Sequence, residues 1–184
     1  MAIIKLNNQS ISAVSALPAG VVDADALASG VGGKVLQVVS THKQDDFTTS
    51  SGSFTDVTGL SVSITPSSTS SKILINFSIM SSNASTGTGT HIKLLRDSTD
   101  IAPGRSDVGY ESSWHVFHHN DTNITQQKSH TVLDSPSSTS SITYKVQVKP
   151  QGNTAVVNRS GSNVSGAAYS HKSSSSITVY EIAG

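Results

Sequence analysis

Apolar and polar residues alternate along most of the chain beyond residue 34. In "SITYKVQVK" (141–149), Ile142, Tyr144, Val146 and Val148 fall on one side and Thr143, Lys145, Gln147 and Lys149 on the other. This two-residue period is that of a strand with one covered face. The same period runs through "LSVSIT" (Leu60, Val62, Ile64), "KILINFSI" (Ile73, Ile75, Phe77, Ile79), "HIKLLRD" (Ile92, Leu94) and "SWHVFHHN" (113–120). In "SSITVYEIA" (175–183), Ile177, Val179 and Glu181 share one side against Thr178, Tyr180 and Ile182. "KVLQVVST" (34–41) is apolar on both sides, which predicts a strand covered on both faces. With "SHTVLD" and "TAVVNRS", the chain reads as eight or nine short strands separated by Gly, Ser, Asn, Asp and Pro, without an amphipathic helix. The fold class this predicts is all-β, an antiparallel β-sandwich of jelly-roll type.

The first 33 residues follow a different rule. Ile11, Val14, Leu17, Val21, Ala24, Leu27 and Val31 recur at three-to-four spacing, but Pro18 and Gly20 interrupt any single helix. The expected organisation is a short, mostly extended N-terminal arm for attachment or oligomerisation (1–33), followed by the β-sandwich domain (34–184).

One hexapeptide, PSSTSS, occurs twice, at 66–71 and 136–141. Each copy stands just before one of the strongest alternating strands. Its hydroxyls can bond local backbone there, which makes it a lead-in used twice by the two Greek keys of a jelly roll.

Composition narrows the function classes. Lys+Arg and Asp+Glu are balanced at 12 each and only 13% of residues are charged, so no basic run exists to neutralise phosphates and no nucleic-acid partner is expected. No segment approaches the roughly 20 apolar residues of a membrane span, so no membrane insertion is expected. Cysteine is absent, so stability must come from the core or from assembly.

Candidate chemistry is sparse. The acidic pairs Asp45/Asp46, Asp97/Asp100 and Asp107/Glu111 stand in turn-like segments where Asp bonds its own backbone. No nucleophile elbow, zinc-protease helix motif or P-loop is present, so no catalytic residue, metal ligand or cofactor is assigned and the chain reads as a non-enzyme. His115, His118 and His119 form a cluster whose alternating sides make a one-chain metal site awkward. The longest polar connection, 97–114, carries Arg105, Asp107, Tyr110 and Trp114, the residue types that stack on and hydrogen-bond sugars. Leu74, Leu95, Phe117, Tyr180 and Ile182 sit opposite the core stripe of their strands and are candidates for a subunit interface; a second sheet inside the same monomer would cover them equally well.

The phrases "LASGVGGKVLQVVS" (27–40), "FTDVTGLSVSITPSSTSSKILI" (54–75), "KLLRDST" (93–99), "DSPSSTSSITYKVQV" (134–148) and "SSITVYEIAG" (175–184) occur in order. Together they resemble the fibre or appendage proteins (tail fibre, spike or head fibre) of marine tailed bacteriophages. The resemblance implies a virion structural protein, a homotrimer whose N-terminal arm contacts other virion proteins and whose domain takes part in host-surface attachment, with a host glycan as one partner. A decoration protein of capsid or tail without host contact, and a surface-glycan hydrolase, are the alternatives that stay open at this point.

Overall fold

The computed structural model describes residues 34–104, 113, 115–162 and 171–184, and of His115–His119 the backbone alone. The expected arm, 1–33, lies outside the described residues, as do Arg105, Asp107, Tyr110 and Trp114.

The strands are β1 (Val35–Lys43), β2 (Phe47–Thr49), β3 (Thr55–Ile64), β4 (Lys72–Asn83), β5 (Thr88–Arg96) and β6 (Thr99–Asp100). They continue with β7 (His115–His119), β8 (Gln126–Asp134), β9 (Ile142–Pro150), β10 (Ala155–Val157) and β11 (Ser175–Ile182). Three pairs of them lie end to end. β1 and β2 run along β11 and β10, β6 and β7 both pair with the same edge of β5, and β10 and β11 both pair with the same edge of β4. Counted this way the chain makes eight columns. Numbered along the chain, they lie in the order 1-8-3-6 in the first sheet and 2-7-4-5 in the second, all neighbours antiparallel. That order is the jelly roll the alternating pattern predicts.

The core is the sum of the inward stripes. Ile73, Ile75, Phe77 and Ile79 of β4, with Ile177 and Val179 of β11, face Leu60, Val62 and Ile64 of β3, Ile92 and Leu94 of β5, and Ile142, Tyr144, Val146 and Val148 of β9. β-branched side chains dominate because they pack well on a pleated surface. The expectation for 34–41 fails. Among the described residues β1 is an edge strand paired only to β11, and Val35, Leu36 and Val38 are exposed. An apolar run on both sides of a strand indicates two faces to be covered, and the described residues cover only the inner one.

Both copies of PSSTSS carry the chain from one sheet to the other: 66–71 joins β3 to β4 and 136–141 joins β8 to β9. The third residue of each accepts a hydrogen bond from the backbone of the fifth, Ser68 Oγ from Ser70 N at 3.2 Å and Ser138 Oγ from Ser140 N at 3.0 Å. The two crossings occupy matching places in the two Greek keys, at the same end of the sandwich.

A carboxylate stands beside each crossing, and the first crossing is bonded to it. Glu181 closes the inward stripe of β11 and is fully buried; it accepts Gln37 Nε2 at 2.6 Å, and Ser67 N and Ser67 Oγ at 2.7 Å each. Burial by itself would raise its pKa, but the hydrogen bonds from Ser67 and Gln37 outweigh it and hold the carboxyl at about 2. Asp134, at the end of β8, accepts Arg96 Nη1 at 2.9 and 3.0 Å and Tyr144 Oη at 2.7 Å, which joins the two sheets across their interior. Burial and this carboxylate raise the Tyr144 phenol well above its ordinary value, so it stays a donor.

A second polar junction holds the broken columns in register. Asn158 stands in the left-handed region (φ 65) where the chain leaves β10. Its Nδ2 donates to the carbonyls of Lys43 and Asp45 at 3.0 and 2.9 Å, and Ser175 Oγ, at the start of β11, donates to its Oδ1 at 2.6 Å. One side chain thereby ties the break between β1 and β2 to the break between β10 and β11.

Two outcomes are expected. Phe77→Ala leaves a large cavity between the sheets and lowers the stability by about 3–5 kcal/mol, seen in urea unfolding as a lower midpoint at unchanged slope. The Glu181 carboxyl is held below its ordinary value of 4.5, so its contribution is complete above about pH 4.5 and is lost as the pH falls toward about 2. Wild type therefore loses stability steeply over that interval, whereas Glu181→Gln starts less stable at neutral pH and shows a shallower acid limb; equal slopes for the two proteins would refute the assignment.

Candidate assembly face

The outer face of the first sheet follows from strand register. Val38 pairs with Tyr180, Tyr180 with Leu74 and Leu74 with Leu133. An apolar row thus crosses all four columns, ending at the two edge strands in Val38 (54% exposed) and Leu133 (56% exposed). At one end of the sandwich the row is extended by Val35, which pairs with Ile182, and by exposed Leu36. Toward the other end the rows become polar: Ser40, Thr178, Asn76 and Thr131, then His42, Ser176, Ser78 and Ser129. Ser40 Oγ and Thr178 Oγ1 lie 2.9 Å apart, and Gln127 Nε2 donates to Ser78 Oγ at 2.8 Å.

Among the described residues of β1, β11, β4 and β8, Lys72 at the rim is the one Asp, Glu, Lys or Arg that the register places on this face. The outer face of the second sheet is different. It carries Asp56 with Lys145 at 2.8 Å, Lys93 with Asp100 at 3.5 Å, and Lys149. Charged residues are depleted from the centres of protein interfaces and enriched elsewhere on surfaces, so the two faces differ in the way a contact surface differs from a solvated one. Four strands about 4.8 Å apart and about nine residues long at about 3.4 Å each present roughly 600 Å², close to the roughly 800 Å² per partner of a standard interface.

The residues singled out from sequence fall in different places. Leu74, Tyr180 and Ile182 come together on the first sheet's outer face. Leu95 lies on the outer face of the second sheet and is only 7% exposed, so the chain itself covers it. Phe117 lies in β7, and its side chain is outside the described residues, as are those of His115, His118 and His119. The glycan candidates Arg105, Asp107, Tyr110 and Trp114 belong to the excursion between β6 and β7, also outside the described residues. Val35, Leu36, Val38 and Leu133 were missed. Val35, Leu36 and Val38 were assigned to a buried run, and the outward side of Leu133 becomes meaningful only once β8 is known to be an edge.

The acidic pairs Asp45/Asp46 and Asp97/Asp100 each bond partners of their own, and Asp107/Glu111 lies outside the described residues. Asp45 binds Lys43 at 2.7 Å and Asp46 binds Arg159 Nε at 2.7 Å, and these bonds hold both carboxyls below the usual range. Asp100 accepts Ala102 N at 3.2 Å, the local backbone bonding expected of Asp in turns, whereas Asp97 accepts Thr143 N at 3.0 Å from the start of β9, a contact distant in sequence. Among the described residues no cluster of metal-ligating side chains and no pocket is formed.

No protein-family profile and no curated protein matches the chain. Solved structures with a similar arrangement include a T13 viral particle of infectious bursal disease virus, at TM-score 0.43 and 12% identity over 91% of this chain and 40% of that chain. Others are T=1 particles derived from the same virus (TM-score 0.42, 13% identity, 91% and 41%) and its VP2 subviral particle (0.39, 14%, 80% and 38%). This chain thus spans about two fifths of the length of those chains.

Proposed function

We propose that this chain is a virion structural protein, a subunit of a homotrimeric fibre or appendage that takes part in host-surface attachment. The observation that carries the reading is the partly apolar outer face of the first sheet, with its row Val38, Tyr180, Leu74 and Leu133. A cysteine-free chain with no metal-ligating cluster among its described residues gains stability by covering such a face with further copies of itself. The resemblance of the ordered phrases to phage fibre and appendage proteins supports the virion assignment, and the arm at 1–33 is the segment that docks to other virion proteins. The jelly-roll frame supplies rigidity, and several copies on one particle convert weak single contacts into firm attachment. The work is mechanical and adhesive, without a reaction.

Mass photometry at micromolar concentration is expected to give three times the 19.1 kDa chain mass. Leu74→Asp or Tyr180→Asp, which place a charge at the centre of the contact, weaken assembly by about tenfold or more, whereas Ser61→Asp on the opposite face leaves it unchanged. A wild-type monomer, or equal effects of all three substitutions, would overturn the assembly reading. For attachment, Tyr110→Ala in the 97–114 connection is expected to reduce capture of host cells by the purified protein; capture indistinguishable from wild type would remove that connection from the contact.

A further inference from the structure

Three neighbouring rows on the outer face of the first sheet end in residues that suit each other. Val38 at the β1 edge and Leu133 at the β8 edge close the apolar row, Ser40 and Thr131 the next, and His42 and Ser129 the third. All six are exposed, and Val38 and Leu133 are the two most exposed large apolar residues among those described. Tyr180 and Leu74, between them, are half-buried. The uncovered apolar surface is therefore greatest at the two ends of the row. Two sheets stacked face to face across a twofold axis cover the middle of such a row best and leave its ends at the wet rim. A contact that covers this row best brings its ends together.

The topology permits such a contact between identical copies. β1, β11, β4 and β8 alternate in direction, so the two edge strands run antiparallel to each other. Rotation about an axis along the strands places β1 of one copy beside β8 of the next, again antiparallel, and keeps every row at its own level. Val38 then meets Leu133, Ser40 meets Thr131 and His42 meets Ser129, so apolar groups face apolar groups and hydrogen-bonding groups face hydroxyls. No Asp, Glu, Lys or Arg stands in these three rows, so the contact brings no like charges together. It joins two different edges and is therefore heterologous, and it ends only by closing into a ring. Dimensions favour three copies. Three intervals of about 4.8 Å put the edge strands of one sheet about 14 Å apart. With neighbouring edges about 5.5 Å from each other, three sheets surround an axis about 7 Å from each, close to the reach of a tyrosine side chain such as that of Tyr180. Four sheets would stand about 11 Å from their axis and leave it unfilled.

We propose that three copies close into a ring around their first sheets, with Val38 of each copy against Leu133 of the next. The inference rests on the assembly reading above and names the two edges that each of its contacts joins. The chain has no cysteine, so introduced thiols report this contact alone. The test oxidises full-length Val38→Cys/Leu133→Cys with copper–phenanthroline in air and reads the products on a non-reducing gel. Strands about 5.5 Å apart suit a disulfide, so a covalent three-chain species is expected, and reduction returns it to single chains. Either single variant is expected to stay a single chain. Ser40→Cys/Thr131→Cys should repeat the pattern one row along, and the thermal midpoint of each variant identifies a pair that perturbs folding. Products that stop at two chains, a ladder beyond three, or cross-linking by Val38→Cys alone would each overturn the arrangement. Mass photometry of the same proteins separates the two readings. A trimer that neither pair cross-links refutes this contact and leaves assembly standing, whereas a monomer refutes assembly and this contact with it.

Discussion

The structure depends on one constraint, the packing of two pleated faces whose inward stripes are predominantly apolar. β4 and β9 lie centrally in their sheets, and their inward stripes, Ile73 to Ile79 and Ile142 to Val148, are almost entirely withdrawn from water. A one-residue slip of either strand would turn that stripe outward and bring Asn76, Ser78, Lys145 or Gln147 inside. Register is therefore fixed by burial, and the rows on the outer faces are fixed with it. The alignment of Val38, Tyr180, Leu74 and Leu133 is a by-product of positions set by the core on the opposite side.

The two carboxylates at the margin of this interior have partners. Glu181 and Asp134 stand at the same end of the sandwich and are met by Gln37, Ser67, Arg96 and Tyr144. The chain crosses between the sheets beside them through the two PSSTSS segments. A buried carboxylate with its bonds supplied fixes geometry more strictly than an apolar side chain, because a shifted neighbour leaves a charge unbonded.

Much of this was legible in the sequence. The period of two in "SITYKVQV" and "KILINFSI" identified the core stripes residue by residue, and the doubled hexapeptide marked the two inter-sheet crossings. The limits were topological. "KVLQVVST" has the composition of a central strand and lies at an edge, because hydropathy records what a strand can bury and not how many neighbours it has. Glu181 looked like an irregularity at the end of a stripe, and only the path of 66–71 past β11 reveals the donors that make its burial tolerable. The assembly face was legible only in part: the alternation marks Leu74, Tyr180 and Ile182 as outward, but the row that joins them to Val38 and Leu133 is set by the pairing of β1, β11, β4 and β8.

The end-to-end columns have a consequence for how such a chain can vary. In most sandwiches length changes are confined to the connections at the two ends. Here β6 and β7, and β10 and β11, resume the same hydrogen-bonded line after leaving it, and Asn158 together with the Arg159–Lys172 bridge closes the base of the second excursion. A segment inserted at such a break can change in length or sequence while the hydrogen-bonded line on either side keeps its register, so one scaffold can display a changing repertoire from the flank of its sheets.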